Sequence, residues 1–246
     1  MKSHHKPVSH IRENHKPRNP NNRLIYTDWW GPLATSGYHG EHYIQAFLDD
    51  ASGLVCCFAS KSKDCGAANL RAFAVILAEL TDGECKIACI QSDYENLFTQ
   101  GDFAAECTRM GIHQRFSSAY SHNQNGRVER YFRTMEVGVT AMLDHSGAPA
   151  YLWPYALQTF VSHFNRMSNT NGDITPIEQI TGFRPDISYF RVWGCPAQVH
   201  LEKHDHAKFT SKCINVLNLG PAPKTKDAYY VYIPSSRTIR VSSYCV

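Results

Sequence analysis

The sequence predicts an α/β fold: a mixed five-stranded sheet flanked by helices, followed by a small C-terminal β-barrel. Three observations predict it. Strand-like runs dominate residues 23–60, strand and helix patterns alternate over residues 67–146, and strand-like runs alone return after residue 190.

The first strand is "RLIYTDWW", a β-rich run that ends at Asp28. The turn-rich "GPLATSGYHGEH" leads into "YIQAFLDD" and, past "ASG", into "LVCCFAS", so three antiparallel strands are expected in sequence. Residues 67–80 place Leu70, Phe73, Ala74, Leu77 and Leu80 at helical spacing, and Asp82-Gly83 stops that helix. "KIACIQS" is a short buried strand ending at Asp93, "GDFAAECTRMG" a helix and "IHQRFSS" a further strand. The long helix after Asn125-Gly126 carries Val128, Phe132, Met135, Val139 and Met142, one apolar stripe that must face the sheet. The order is therefore βββαβαβα, with parallel strands added through crossover helices.

"YLWPYALQTFVSHFNRM" is helical again, and "TPIEQITGFRPD" closes the region with a short helix and a Gly/Pro turn. "RVWGCPAQVHL", "CINVLNLG", "AYYVYIP" and "RTIRVSSYCV" supply the barrel strands. Three units are expected: a basic leader over 1–22, a core over 23–185 and the barrel over 190–246.

With 43% apolar residues and a net charge of +3 in 246 residues, the composition is that of a globular chain. No run approaches the roughly 18 apolar residues of a membrane span, and "MKSHHKPVSH" has no secretion-signal core. The nine cysteines form no regular framework, so free thiols in a reducing compartment are expected. Cys85 and Cys89 lack a second pair at metal-ligand spacing, and no zinc is expected. Residues 1–23 hold six basic residues against Glu13. Such a segment is either a solvated tail or an arm that neutralises phosphates.

Candidate chemistry lies in carboxylates. Asp28 and Asp93, read as strand-terminal, and Glu129 on the long helix can meet at one edge of such a sheet. Three carboxylates repel one another unless they take up protons or a divalent cation, and hard oxygen ligands suit Mg²⁺ or Mn²⁺. Two such ions, about 3.5–4 Å apart, support phosphoryl transfer without a covalent nucleophile. On spacing alone the simpler reading also stands: Asp28 caps a turn, Asp93 caps a helix, and Glu129 pairs with Arg133 one turn along. Arg127 and Arg130 are expected to project into solvent, where phosphates approach. Asp49 and Asp50 form a competing acidic pair whose simpler reading is the turn after the second strand. His113, His122 and His163 are expected as surface or satisfied histidines.

Three segments carry a family resemblance: "TDWWGPL", "QSDYENLF" and "AYSHNQNGRVERYFRTM", with 35 residues between Asp93 and Glu129. Together with "FLDDASG" and "TPIEQITGFRPDISYFRVWGCPAQVH", they resemble the integrases of copia-type retrotransposons, within the retroviral integrase superfamily. The resemblance covers about residues 23–246. It implies an RNase H-like core, a Src-homology-type barrel, and a divalent-metal polynucleotidyl transferase that trims a cDNA end and joins it to target DNA. By the same resemblance Asp28 bridges two metals, and Asp93 and Glu129 hold one each. Tyr120, Asn123 and Asn125 fall in a loop that touches the donor DNA end, while Arg127, Arg130 and Arg133 contact phosphates. The implied partners are double-stranded DNA, as retroelement cDNA ends and target, and further copies of the chain in a homo-oligomer. The implied location is the nucleus or a cytoplasmic virus-like particle.

The chain departs from that pattern in several places. Tyr94 and Glu95 stand where Asn and Gly are usual, His122 replaces a Pro, Phe132 replaces an Asn, and Gly53 replaces an Arg. The family's N-terminal zinc module is missing, which makes a piece of a Pol polyprotein, active or degenerate, the expectation. RNase H-type nuclease chemistry is a further alternative.

Overall fold

The computed structural model describes residues 21–117, 126–168, 174–200, 211–223 and 227–243. Strands β1 (Asn22–Trp30), β2 (Tyr43–Asp49) and β3 (Val55–Ser60) form an antiparallel meander. Helix α1 (Gly66–Leu80) crosses to β4 (Lys86–Ser92). Helices α2 (Asn96–Thr99) and α3 (Gly101–Arg109) then cross to β5 (His113–Phe116). The sheet order is β3-β2-β1-β4-β5, with β4 parallel to both β1 and β5. The predicted strand and helix sequence is realised through α4 (Gly126–Ser146).

Alternation along β1 and β2 sorts the side chains into two layers. Ile25 and Trp29 pack with Phe47, Phe73 and Leu77 on the α1 side. Tyr26 and Trp30 pack with Ile44, Ala46 and Leu48 on the other side, against Val128, Phe132 and Met135 of α4. Asp28 lies between Tyr26 and Trp30 in that alternation, so its side chain belongs to the α4 face.

One expectation is corrected. Asp28 does not terminate its strand, because Trp29 and Trp30 continue the pairing against Gln45 and Ile44. Two large apolar rings extend β1 by packing on opposite faces of the sheet: Trp29 is buried in the α1 layer, and Trp30 stacks on Phe132 at 6.0 Å.

Helix α5 (Trp153–Phe164) packs along α4, and α6 (Pro176–Thr181) follows, capped by the Thr175 side chain and a left-handed Gly182. Just past α5, the Asn165 side-chain amide accepts from Val55 N–H at 2.9 Å and donates to Val55 C=O at 2.7 Å. Because β3 is an edge strand, Asn165 supplies the pairing that a neighbouring strand would give.

The C-terminal strands β6 (Pro196–His200), β7 (Cys213–Pro221), β8 (Tyr229–Ile233) and β9 (Thr238–Ser242) form an antiparallel sheet of order β6-β7-β8-β9. Among the described residues β6 and β9 are its two edges, and no pairing joins them into a closed barrel. This sheet shares a core with the first unit, in which Leu152, Tyr155 and Ala156 are buried with Trp193, Leu219 and Tyr232. The Leu219 carbonyl accepts from both Trp193 Nε1 and Thr159 Oγ1, at 3.1 Å each.

Gly220 follows with φ +99°, and a Cβ there would lie 2.0 Å from Thr159 Oγ1. Gly220→Ala therefore combines backbone strain with overpacking against a stiff β-branched neighbour. We expect a loss of about 2 kcal/mol and a melting temperature lower by roughly 5 °C, read by differential scanning calorimetry.

Candidate active site

Asp28 lies on β1, Asp93 directly follows the end of β4, and Glu129 stands in the first turn of α4. Parallel pairing of β1 and β4, in register at Tyr26 and Gln91, brings Asp28 and Asp93 to one end of the sheet. The apolar stripe of α4 then fixes Glu129: Val128 is buried in the layer below Trp30, and its neighbour Glu129 is exposed at the rim.

Electrostatics link the three carboxylates. Burial pushes the Asp28 carboxyl up to about 7, and the charges of Asp93, Glu95 and Glu129 add to the rise. The Trp29 N–H, donating to Asp28 Oδ1 at 2.8 Å, opposes it. Burial, followed by the Glu95 charge, pushes Asp93 up to about 6, and Lys63 opposes. Asp93 Oδ1 is buried without a hydrogen-bond partner. Among the described residues, no ion pair joins Glu129 to Arg133. The simpler reading of Glu129 as a helix-surface pair therefore loses its partner.

Glu95 is a fourth carboxylate, apparent in the sequence only as a departure from the family pattern. It faces Asp28 and Asp93 electrostatically and pairs with Lys63 at 3.7 Å. Lys63 carries no sequence signal, since it reaches the site from the turn after β3 by chain geometry alone.

Other candidates are committed elsewhere. Buried Asp49 pairs with Arg23 at 3.3 Å and accepts from Ser52 N–H and Oγ, which makes it a turn residue. Arg23 also donates to Cys85 Sγ. Asp50 forms an ion pair with Arg127, which donates to the Asp50 carbonyl as well. Arg127 thus ties the start of α4 to the β2–β3 turn while remaining exposed to solvent. Arg130 Nε donates back to the Gly126 carbonyl at 3.0 Å, and Arg133 is exposed. Tyr120, His122, Asn123 and Asn125 lie outside the described residues.

Phe132 is core packing, stacked on Trp30. Gly53, at φ +74°, closes the β2–β3 turn with a bond to the Asp49 carbonyl. His113 is exposed, in keeping with a surface role. His163 lies against Phe190 with its Nε2 buried and unpaired, and burial lowers its pKa, so it is not satisfied as expected.

The donor set suits a divalent cation in kind: carboxylate oxygens only, one of them buried and orphaned. Among the described residues, no three His, Cys, Asp or Glu side chains already meet around one ion. Among the described residues, no helix is long and apolar enough to cross a membrane.

No family model matches the chain. It is 27% identical over 198 residues to a retrovirus-related Pol polyprotein from transposon TNT 1-94 of Nicotiana tabacum, covering 80% of this chain and 15% of that protein. It is 26% identical over 219 residues to the Pol polyprotein from transposon RE1 of Arabidopsis thaliana, covering 87% of this chain and 14% of that protein. The chain thus spans a small fraction of the curated relatives it matches. Its fold resembles a chain of the simian T-cell lymphotropic virus intasome, solved in complex with PP2A regulatory subunit B56 gamma. The TM-score there is 0.55 at 16% identity, over 91% of this chain and 76% of that one. The chain is thus similar in sequence to part of two retrotransposon Pol polyproteins and similar in fold to a chain of a retroviral intasome.

Proposed function

We propose that the chain is the catalytic core of a retroelement integrase, a polynucleotidyl transferase that processes a cDNA 3′ end and joins it to target DNA. What supports this reading is that parallel β1 and β4 carry Asp28 and Asp93 to the same sheet end, that the Glu129 charge acts on Asp28, and that Asp93 keeps an orphaned buried oxygen. Asp28, Asp93 and Glu129 would hold Mg²⁺ or Mn²⁺, with two ions expected. The bound metal supplies Lewis acidity toward the phosphodiester and lowers the pKa of the attacking oxygen.

The chain's own residues supply position. The β1–β4 pairing fixes Asp28 and Asp93, and the Arg127–Asp50 pair anchors the α4 end that carries Glu129. Exposed Arg130 and Arg133 face solvent from the same helix and are the phosphate contacts of this reading. Tyr120, Asn123 and Asn125 are proposed to contact the donor end. A homo-oligomer working on double-stranded DNA, in the nucleus or in a cytoplasmic virus-like particle, completes the proposal. The three-unit division at 1–22, 23–185 and 190–246 belongs to the same proposal.

One observation favours a second reading, DNA binding without catalysis. Lys63 already pairs with Glu95, one of the carboxylates at the site. A strand-transfer assay with oligonucleotide ends decides between the two. The wild type joins strands in Mg²⁺ or Mn²⁺ while Glu129→Gln does not; metal-independent, salt-sensitive binding with no joining by either protein establishes the second reading. Preferential cleavage of an RNA:DNA hybrid would instead assign RNase H chemistry.

A further inference from the structure

Tyr94 is the residue beside the site that packing does not explain. It lies between Asp93 and Glu95, yet its side chain is 72% exposed. A ring so exposed gains little from hydrophobic burial. It is nevertheless held in place: the Phe116 ring meets it edge to face, with centroids 5.4 Å apart and planes at 88°. Phe116 is the last residue of β5 and packs against the α1-side core, so the pair projects from a rigid sheet end.

We infer that Tyr94, braced by Phe116, is a stacking platform for an unpaired base at the DNA end, immediately beside the reacting phosphodiester. The inference rests on the proposed DNA-joining function. Three physical points carry it. An exposed aromatic face takes up any base by stacking, without reading sequence. A base inside a duplex has both faces covered by its neighbours, so only a frayed, extruded or overhanging base can use such a platform. Finally, the Cα atoms of Asp93 and Tyr94 are about 3.8 Å apart, which sets the ring within about one or two nucleotides of a phosphate held at Asp93.

The occupant is thus the terminal or penultimate unpaired base of a processed or frayed end. Stacking there would hold the end open and keep the displaced strand away from the carboxylates. Lys63 pairs with Glu95, the residue after Tyr94.

The test uses the full chain, Mg²⁺ at low salt, and duplexes carrying 2-aminopurine in an unpaired 5′ extension or, as control, a blunt duplex. Wild type is expected to quench the unpaired 2-aminopurine. Tyr94→Ala is expected to lose the quenching and to bind the extended duplex about five-fold or more weakly, by fluorescence anisotropy, while blunt-duplex binding stays within about two-fold. Tyr94→Phe and Tyr94→Trp are expected to retain both signals, and Phe116→Ala to weaken both in part. Quenching by Tyr94→Ala equal to wild type, or equal losses on blunt and extended duplexes, overturns the inference. If wild type binds neither duplex, the DNA-joining proposal falls and the inference with it. If binding and Tyr94-dependent quenching occur without strand joining, the catalytic reading alone fails and the platform stands.

Discussion

Asp28→Asn is expected to abolish Mg²⁺-dependent strand joining and, at the same time, to make the metal-free protein more stable at pH 8. On the proposed function the first effect follows from removing a metal ligand, and a loss of ~10³-fold or more is the scale for such a metal-dependent step. The second follows from proton linkage. The Asp28 carboxyl is pushed up to about 7 and that of Asp93 to about 6, both above the ordinary 3.8. A carboxyl with a raised folded pKa binds its proton more tightly in the native state than in the unfolded chain. Its stabilising contribution is complete below pH ~4 and is lost as pH rises through 6 to 7. Above that window the metal-free site carries crowded, poorly solvated charges, and Asn at position 28 removes one of them.

Wild type without metal should therefore lose melting temperature between pH 5 and pH 8, and Asp28→Asn should lose less. For a half-buried carboxyl the difference is about 2 kcal/mol, or roughly 4–8 °C. Mg²⁺ should raise the wild-type melting temperature at pH 8 and leave that of Asp28→Asn nearly unchanged. Parallel pH profiles for the two proteins would contradict the assignment of the carboxylate cluster.

Asn165→Leu is expected to be the most damaging substitution outside the site. Leu has the branched shape of Asn with a larger volume, so no cavity forms, but the amide that pairs with β3 is gone. The Val55 N–H and C=O, on a fully buried residue, would then have neither protein nor water as partner. Two unsatisfied buried backbone groups cost about 3–5 kcal/mol together, which lowers the melting temperature by about 10 °C. Asn165→Asp keeps the acceptor for Val55 N–H but, when ionised, sets a buried carboxylate oxygen against the Val55 carbonyl, so its melting temperature should recover toward low pH, where the protonated acid can donate. Equal melting temperatures for Asn165→Leu and wild type would show that this contact contributes nothing.

How much of this was legible beforehand varies with the range of the interaction. The βββαβαβα order follows from periodicity that each segment carries within itself, and the 35-residue interval from Asp93 to Glu129 survives folding as the spacing of two elements at one sheet end. What was not legible depends on partners distant in the chain. Trp29 and Trp30 looked like turn-flanking residues until layers on both faces claimed them. Arg127 has the pattern of a solvent-facing arginine, and only the β2–β3 turn brings Asp50 to it, 77 positions away. Phe132 belongs to the apolar stripe that predicts a sheet-facing position, but that stripe does not reveal its stacking partner, Trp30. The leader and the Tyr120–Asn125 segment lie outside the described residues, so their expected roles stay with the proposal.

Helix α5 buries Trp153, Tyr155, Ala156, Leu157 and Thr159, an apolar distribution too wide for a helix covering one sheet face. It has two clients, the α4 layer on one side and the C-terminal sheet on the other. The consequence concerns folding units. Because Leu152, Tyr155 and Ala156 share one core with Trp193, Leu219 and Tyr232, parting the two sheets bares apolar surface on both. The two sheets are then a single foldon, and a cut anywhere between residues 182 and 195 would leave two adhesive halves rather than two independent modules.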